Sequence, residues 1–322
     1  MHELTGHRSA VTRDRIRRVA EQLGWHPSTA ARALSGEGSA TVGLVVARPA
    51  ANLGVDSFFL QLISGIQEVL AERRLGLLFQ VVEDVAAECA VYRRWWAEQR
   101  VDGVLVVDPR TDDPRVGLLD ELGLPGDVIG ALPGSDTGPH PGLSQIRADD
   151  AGAMAAVVGR LHELGHRRIV HIAGLPSLAH TDRRIRSLRI EADRRGPTEA
   201  HSVTTDYSDT EGAAVTRRVL EHGTPPTAIV YDNDVMAAAG VAVTAGLGFR
   251  VPADVSVVSW EDSALCRLTA PWLTALSRDT VAFGRLAARE LTALLDGGTA
   301  HTIRVPLPRL IERGSTAAVN GG

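Results

Sequence analysis

The sequence contains no lysine: all 34 of its basic Lys+Arg side chains are arginine. That absence excludes the phosphate-gripping lysine of a P-loop and the amine that PLP and Schiff-base enzymes require. Aromatic residues make up only 4% of the chain. The two cysteines, Cys89 and Cys266, are too few for a disulfide framework and suit a reducing compartment. There is no run of about 18 or more apolar residues, and the N-terminus lacks the apolar core of a signal peptide. The expectation is a cytoplasmic globular protein with no membrane partner. GC-biased coding also yields an Arg-only, Ala- and Gly-rich chain, so the missing lysine works as an exclusion and carries no functional signal.

What is present points to about two domains of ordinary size in 322 residues, 44% of them hydrophobic. The net charge of −5 is unevenly spread: residues 1–35 carry +3 and the remainder −8. A basic segment on an acidic body fits a polyanion-binding appendage, and an ordinary solvated helix face fits the same small charge equally well.

From residue 41 the pattern alternates. Short apolar, β-branched runs occur at Val42–Ala47, Leu77–Val82, Val101–Val107, Ile169–Ala173, Thr227–Tyr231 and Val255–Trp260. Between them lie stretches of 3.6-residue periodicity: Phe58–Glu72, Cys89–Gln99, Ala151–Leu164, Arg184–Arg195, Thr210–His222 and Val235–Ala245. A last helix, Thr280–Asp296, follows Leu273–Ser277. Near-continuous apolar strands alternating with helices indicate parallel sheets covered on both faces. There are too many units for one sheet, and a seam near 145–150 divides them into two doubly wound lobes. Ligands of such proteins bind between the lobes, at the carboxyl ends of the strands.

The first 40 residues differ. Thr12 can cap a helix running to Leu23, with Ile16, Val19, Ala20 and Leu23 facing inward and Gly24 as the stop. Pro27 starts a second short helical stretch, Ser28–Leu34, and a glycine-rich link, Ser35–Ala40, leads into the first strand. So little apolar surface needs a partner to fold on.

One motif matches an enzyme template letter for letter. His162-Glu163-Leu164-Gly165-His166 reads H-E-x-x-H, which on a helix would place two histidines on a zinc and a glutamate as general base. Gly165 sits where a helix ends, however, and a strand begins at once after it, so the chain turns between the histidines. The expected role is a helix C-terminus stabilised by His and Arg. No G-x-G-x-x-G, G-x-S-x-G or C-x-x-C is present, and no motif calls for a cofactor or a metal. Asp232-Asn233-Asp234 suits a ligand contact or a helix N-cap better than a metal loop.

Three segments are more specific. Leu4 to Val46 reads LTGHRSAVTRDRIRRVAEQLGWHPSTAARALSGEGSATVGLVV. Arg147–Gly174 carries Asp149-Asp150 and LGHRRIVHIAG and is followed by Arg184 through Gly196. Pro226–Leu276 carries AIVYDNDVMAAAG, GFRVPADVSVVSW and PWLTAL. Together they resemble the LacI/GalR (lac repressor) family of bacterial transcription regulators, over nearly the whole chain.

The resemblance implies an α/β fold of two doubly wound parallel-sheet lobes, like periplasmic sugar-binding proteins, after a helical remnant of a helix-turn-helix headpiece and a hinge. The implied divisions are an incomplete headpiece at 1–27, a hinge at 28–40, an N-lobe of 41–147 plus about 278–300, a C-lobe of 148–277 plus about 301–313, and a tail at 314–322. It further implies a homodimeric, ligand-responsive repressor that binds operator DNA. In the family a hinge helix enters the minor groove and a leucine wedges between base steps. The matching positions are Ser28, Thr29, Ala31, Arg32 and Leu34. The implied effector contacts are Phe58, Phe59, Asp149, Arg184, Tyr207, Asn233 and Glu261, around a sugar or related polar metabolite. The sequence departs from the family at Glu261, one methylene longer than the usual aspartate, so no specific sugar is carried over. It also starts at the tail of the recognition helix, and about 20 further residues of helix-turn-helix are expected upstream of Met1. Two other readings remain: a headless small-molecule sensor without specific operator binding, and a zinc hydrolase using His162, Glu163 and His166.

Overall fold

The computed structural model describes residues 38–49, 53, 56–133 and 142–319, together with Thr12, Arg15, Arg18, Val19 and Gln22. The hinge positions Ser28, Thr29, Ala31, Arg32 and Leu34 lie outside the described residues. Val19 is 47% exposed, against the inward face expected for it; it lies one turn from Arg15 on the face that also carries Thr12 and Gln22.

Two six-stranded sheets form the described body. The first runs in the order β2-β1-β3-β4-β5-β11, from β1 (Thr41–Ala47), β2 (Gly76–Val82), β3 (Gly103–Val107), β4 (Gly126–Ile129), β5 (Leu143–Arg147) and β11 (Thr302–Arg304), all parallel. The second runs β7-β6-β8-β9-β10-β12, from β6 (Arg168–Ala173), β7 (Glu199–Thr204), β8 (Ala228–Tyr231), β9 (Ser256–Ser259), β10 (Thr274–Ser277) and β12 (Arg309–Ile311). Only β12 is antiparallel there.

Helices cover both sheets. The first lobe has α1 (Ser57–Glu72), α2 (Val85–Ala97), α3 (Pro114–Leu122) and, late in the chain, α8 (Thr280–Leu295). The second has α4 (Asp150–Glu163), α5 (Ala179–Arg194), α6 (Asp209–Glu221) and α7 (Asp234–Gly246). Asp56, Asp84, Asp113, Asp149, Ser208, Asn233 and Asp279 each cap a helix by accepting a backbone N–H, which satisfies a donor the helix leaves open. Each face of each sheet buries its own apolar cluster, Leu44, Leu62, Ile66 and Leu291 in one, Ile172, Ile229, Tyr231 and Val257 in another. α1 and α8 cross backbone to backbone: a Cβ on Gly65 would strike the Val281 carbonyl, and one on Gly284 the Leu62 carbonyl.

The chain crosses between lobes three times, at 148–149, at 278–279 and at 305–308. The last crossing corrects the expected division. Residues 302–304 extend the first sheet by pairing with Gln145–Arg147, so the return to the second lobe comes after β11. The segment after 313 is no tail either. Ser315 is fully buried, its hydroxyl donating to the Val257 carbonyl at 2.6 Å, and the Val319 N–H reaches the Leu164 carbonyl at 2.8 Å.

At the start of β1, Asp102 accepts from the Ser39 N–H (2.6 Å), the Ser39 hydroxyl (3.0 Å) and the Thr41 N–H (3.2 Å). Its carboxylate thus fixes the entry of the chain into the first lobe.

Candidate functional site

The residues that follow the ends of nine parallel strands converge on one cleft. β1 delivers Arg48, β3 Asp108, β4 Gly130, β5 Ala148, β6 Gly174, β7 the turn to Tyr207, β8 Asp232 and Asn233, β9 Trp260 and Glu261, and β10 Arg278. All but Gly174 and Trp260 line a space of about 690 Å³ including its mouth, together with Asp56, Phe58, Phe59, Asp150, His180 and Arg183.

Arginine–carboxylate pairs organise the walls. In the first lobe Arg48 bonds Asp108 at 2.6 Å and lies 3.7 Å from Asp56. Behind it the buried Arg115 donates to the carbonyls of Val107 and Asp108 and pairs with Glu88 and Asp113. In the second lobe Arg184 meets Asp150 (3.1 Å) and Asp232 (3.0 Å), and Arg183 meets Asp150 (3.1 Å). Asp232 also accepts from His171 Nε2 (2.9 Å) and the Gly174 N–H (2.9 Å). Burial works against its charge, but Arg184 and His171 outweigh it and hold its carboxyl far below the usual range. Being ionised it can only accept, which makes His171 Nε2 the donor.

Aromatic faces complete the cleft. Phe58 and Phe59 meet edge to face with centroids 5.5 Å apart. The Arg48 guanidinium lies 5.1 Å from the Phe59 ring and 4.6 Å from the Tyr207 ring, and Arg184 stacks 4.4 Å from Trp260. Tyr207 holds a left-handed backbone at φ 71° and its ring rests on Gly174, where any Cβ would collide with it. Its hydroxyl is 2.8 Å from His180 Nε2. Burial, then the charge of Arg184, pushes His180 down to about 4, so this imidazole is neutral near pH 7.

Two carboxyls behave differently. Asp56 is raised to about 6, mainly by burial. Glu261 is pushed well above the carboxylate range by burial, Asp56 and Asp234, and its Oε2 is buried without a hydrogen-bond partner. Burial and its acidic neighbours thus favour the protonated form of this side chain in the cleft.

The lobes touch across this cleft. Arg183 donates to the Ala131 carbonyl at 2.9 Å, the Thr111 N–H to the Ser177 carbonyl at 3.1 Å, and the Ala179 N–H to the Pro109 carbonyl at 2.8 Å. The last bond supplies an acceptor for an open N–H at the start of α5, whose N-cap Leu178 has no side-chain oxygen to offer.

Of the residues expected from sequence, Phe58, Phe59, Arg184, Tyr207, Asn233 and Glu261 line the cleft. Asp149 does not: its carboxylate caps α4 through the Gly152 N–H, and the neighbouring Asp150 faces the cleft instead. Asn233 is largely committed within the protein, accepting the Met236 N–H and donating to the Tyr207 carbonyl. Asp232 lies in the Asp232-Asn233-Asp234 stretch already read as a ligand contact, while Arg48, Asp56, Asp108, Asp150, His180, Arg183 and Arg278 lie outside the expected set; most of them stand just beyond an apolar strand or near the start of the next helix. The H-E-x-x-H histidines part as the turn at Gly165 (φ 91°) requires. His162 Nε2 bonds the Arg195 carbonyl and His166 Nε2 the Ala317 carbonyl. Among the described residues no group of three or more His, Cys, Asp or Glu could hold a metal, and no helix is long and apolar enough to cross a membrane.

Residues 158–316 match the periplasmic binding protein-like domain family. The chain is 32% identical over 305 residues to the HTH-type transcriptional regulator CelR of Thermobifida fusca, covering 93% of this chain and 87% of that protein. Among solved structures it is similar to a LacI family transcriptional regulator from Bifidobacterium animalis subsp. lactis, with TM-score 0.78 and 33% identity, covering 88% of this chain and all of that one. A CelR–cellobiose complex superposes with TM-score 0.78 at 28% identity, over 95% of this chain and 90% of that chain.

Proposed function

The chain belongs to the LacI family of transcriptional regulators, and from that premise we propose that a carbohydrate bound in the inter-lobe cleft controls its hold on operator DNA. It is a ligand-responsive regulator and not an enzyme. The observation that carries the carbohydrate reading is the cleft's lining. Planar arginine–carboxylate pairs offer fixed donors and acceptors to hydroxyls, and the faces of Phe58, Phe59 and Tyr207 suit the apolar faces of sugar rings. The cellobiose held by a related regulator agrees with it. We assign the effector contacts to Phe58, Phe59, Arg184, Tyr207, Asn233 and Glu261, joined by Arg48, Asp150 and His180.

The mechanism follows from where the contacts sit. A ligand touching both lobes favours the closed angle at which Arg183 meets Ala131 and Ala179 meets Pro109. In a homodimer this angle sets the spacing of the two segments that precede residue 38. The DNA contacts belong to Ser28, Thr29, Ala31, Arg32 and Leu34, with Leu34 as the wedge. Coupling is reciprocal, so operator binding changes effector affinity by the factor that effector changes operator affinity.

The test pairs a thermal-shift screen of neutral and acidic sugars and nucleosides with anisotropy titrations of palindromic duplexes. A sugar that raises the melting temperature and shifts duplex affinity supports the reading. A sugar that binds while every duplex is held weakly and only salt-sensitively supports a sensor without specific operator binding.

A further inference from the structure

Four arginines line the cleft, and three of them have carboxylate partners: Arg48 with Asp108 and Asp56, Arg183 with Asp150, and Arg184 with Asp150 and Asp232. Arg278 is the exception. Its guanidinium makes no hydrogen bond or ion pair with any described residue, although the side chain is half-buried in the crossing segment between β10 and α8. It faces both the main cleft and an adjoining chamber of about 260 Å³ whose polar walls include Ser57, Gln61, Glu261 and Thr280.

Arg278 sits among charges of both signs. Burial, and then the positive charge of Arg184, pushes its guanidinium below its ordinary value, while Glu261, Asp150 and Asp232 pull the other way. Glu261 borders the same chamber, but no hydrogen bond or ion pair joins it to Arg278, and burial with Asp56 and Asp234 raises its pKa. A half-buried fork of five N–H donors is thus left beside Glu261, whose Oε2 lacks a partner.

We infer that Arg278 selects the effector by charge: the cleft takes a sugar acid whose carboxylate meets the Arg278 fork while its hydroxyls meet the paired arginines and aspartates. This deepens the carbohydrate reading and rests on it. Carboxylate suits the site better than phosphate. Its two coplanar oxygens match the planar fork, and its single charge matches one unpaired guanidinium. A phosphate monoester would bring about −1.5 to −2 into a chamber that already holds Asp262.

The test is a set of melting-temperature titrations on the full chain with matched ligands: glucose and glucuronate, galactose and galacturonate, cellobiose and cellobionate, and glucose 6-phosphate. The expected result is that an acid binds more tightly than its neutral twin. Arg278→Gln then weakens that acid by about tenfold or more, the scale of a lost charged hydrogen bond, and changes the neutral twin little. Arg278→Lys keeps the charge without the fork and retains part of the preference. Circular dichroism and the ligand-free melting temperature confirm that each variant is folded. A neutral sugar that binds as well as its acid twin overturns the inference and leaves the carbohydrate reading standing. Preference for glucose 6-phosphate over every carboxylate overturns it as well. No response to any of these ligands overturns both.

Discussion

Ala179, the first residue of α5 in the second lobe, donates its N–H to the Pro109 carbonyl of the first lobe at 2.8 Å. A helix end that takes its partner from the opposite lobe is satisfied by protein only while the lobes stand at this angle. Leu178 cannot replace the lost acceptor, so opening hands that N–H to water. Hydrogen exchange at Ala179, and at Thr111 with its bond to Ser177, is therefore expected to slow when a stabilising sugar is added. The Gly152 amide, capped within its own lobe by Asp149, serves as the control and stays unchanged. Equal protection at all three would remove the link to lobe closure.

Asp232 is the acceptor for Arg184, His171 and the Gly174 N–H together. Replacing it with alanine strands a buried guanidinium and a buried imidazole, and is expected to cost about 3–5 kcal/mol in urea unfolding. Asp232→Asn, which keeps one acceptor oxygen, costs less. A loss below about 1 kcal/mol for the alanine variant would mean that Asp150 alone satisfies Arg184.

Asp127, in β4, is fully buried with neither carboxyl oxygen bonded, and burial with Glu290 nearby raises its pKa well above normal. Between the unfolded value near 3.9 and the raised folded value, the folded state binds the proton that the unfolded state has lost. Stability therefore falls as pH climbs through that window. Asp127→Asn removes this slope, so the variant is expected to gain stability relative to the parent between pH 4 and pH 7. Unfolding free energies at pH 4, 5.5 and 7 check it; parallel curves for the two proteins would contradict it.

Gly65 and Gly284 allow α1 and α8 to touch along their backbones. Gly284→Ala forces the helices apart and is expected to cost at least about 1–3 kcal/mol, as overpacking does, despite alanine's better helix propensity. A stabilised variant would show that the two helices separate freely.

The sequence made some of this legible and concealed the rest for identifiable reasons. β1, β6, β8 and β9 are buried on both faces and read as near-continuous apolar runs, broken only by single polar residues such as His171 and Ser256. β4 is four residues long and contains Asp127, β5 buries Ser144 and Gln145, and β7 is a half-exposed edge strand, so none carries that pattern. α3 is nine residues long and turns Arg115 inward, which inverts the usual face assignment. Within the cleft, Asp149 and Asp150 differ only in the direction each leaves the α4 N-terminus, which one sequence cannot distinguish. Arg278 is conspicuous only by its lack of a partner, a property of the assembled fold.

The Asp102 carboxylate that grips Ser39 and Thr41 lies at the far end of β1 from the cleft, about 20 Å of strand away. The chain at Ser39–Thr41 is therefore carried by the first lobe, as a handle is by the half of a tool to which it is riveted. Movement of the second lobe leaves that handle where it was. A lone copy would then close with nothing outside it registering the event; in the proposed homodimer the handle of the second copy supplies the fixed mark from which displacement is measured.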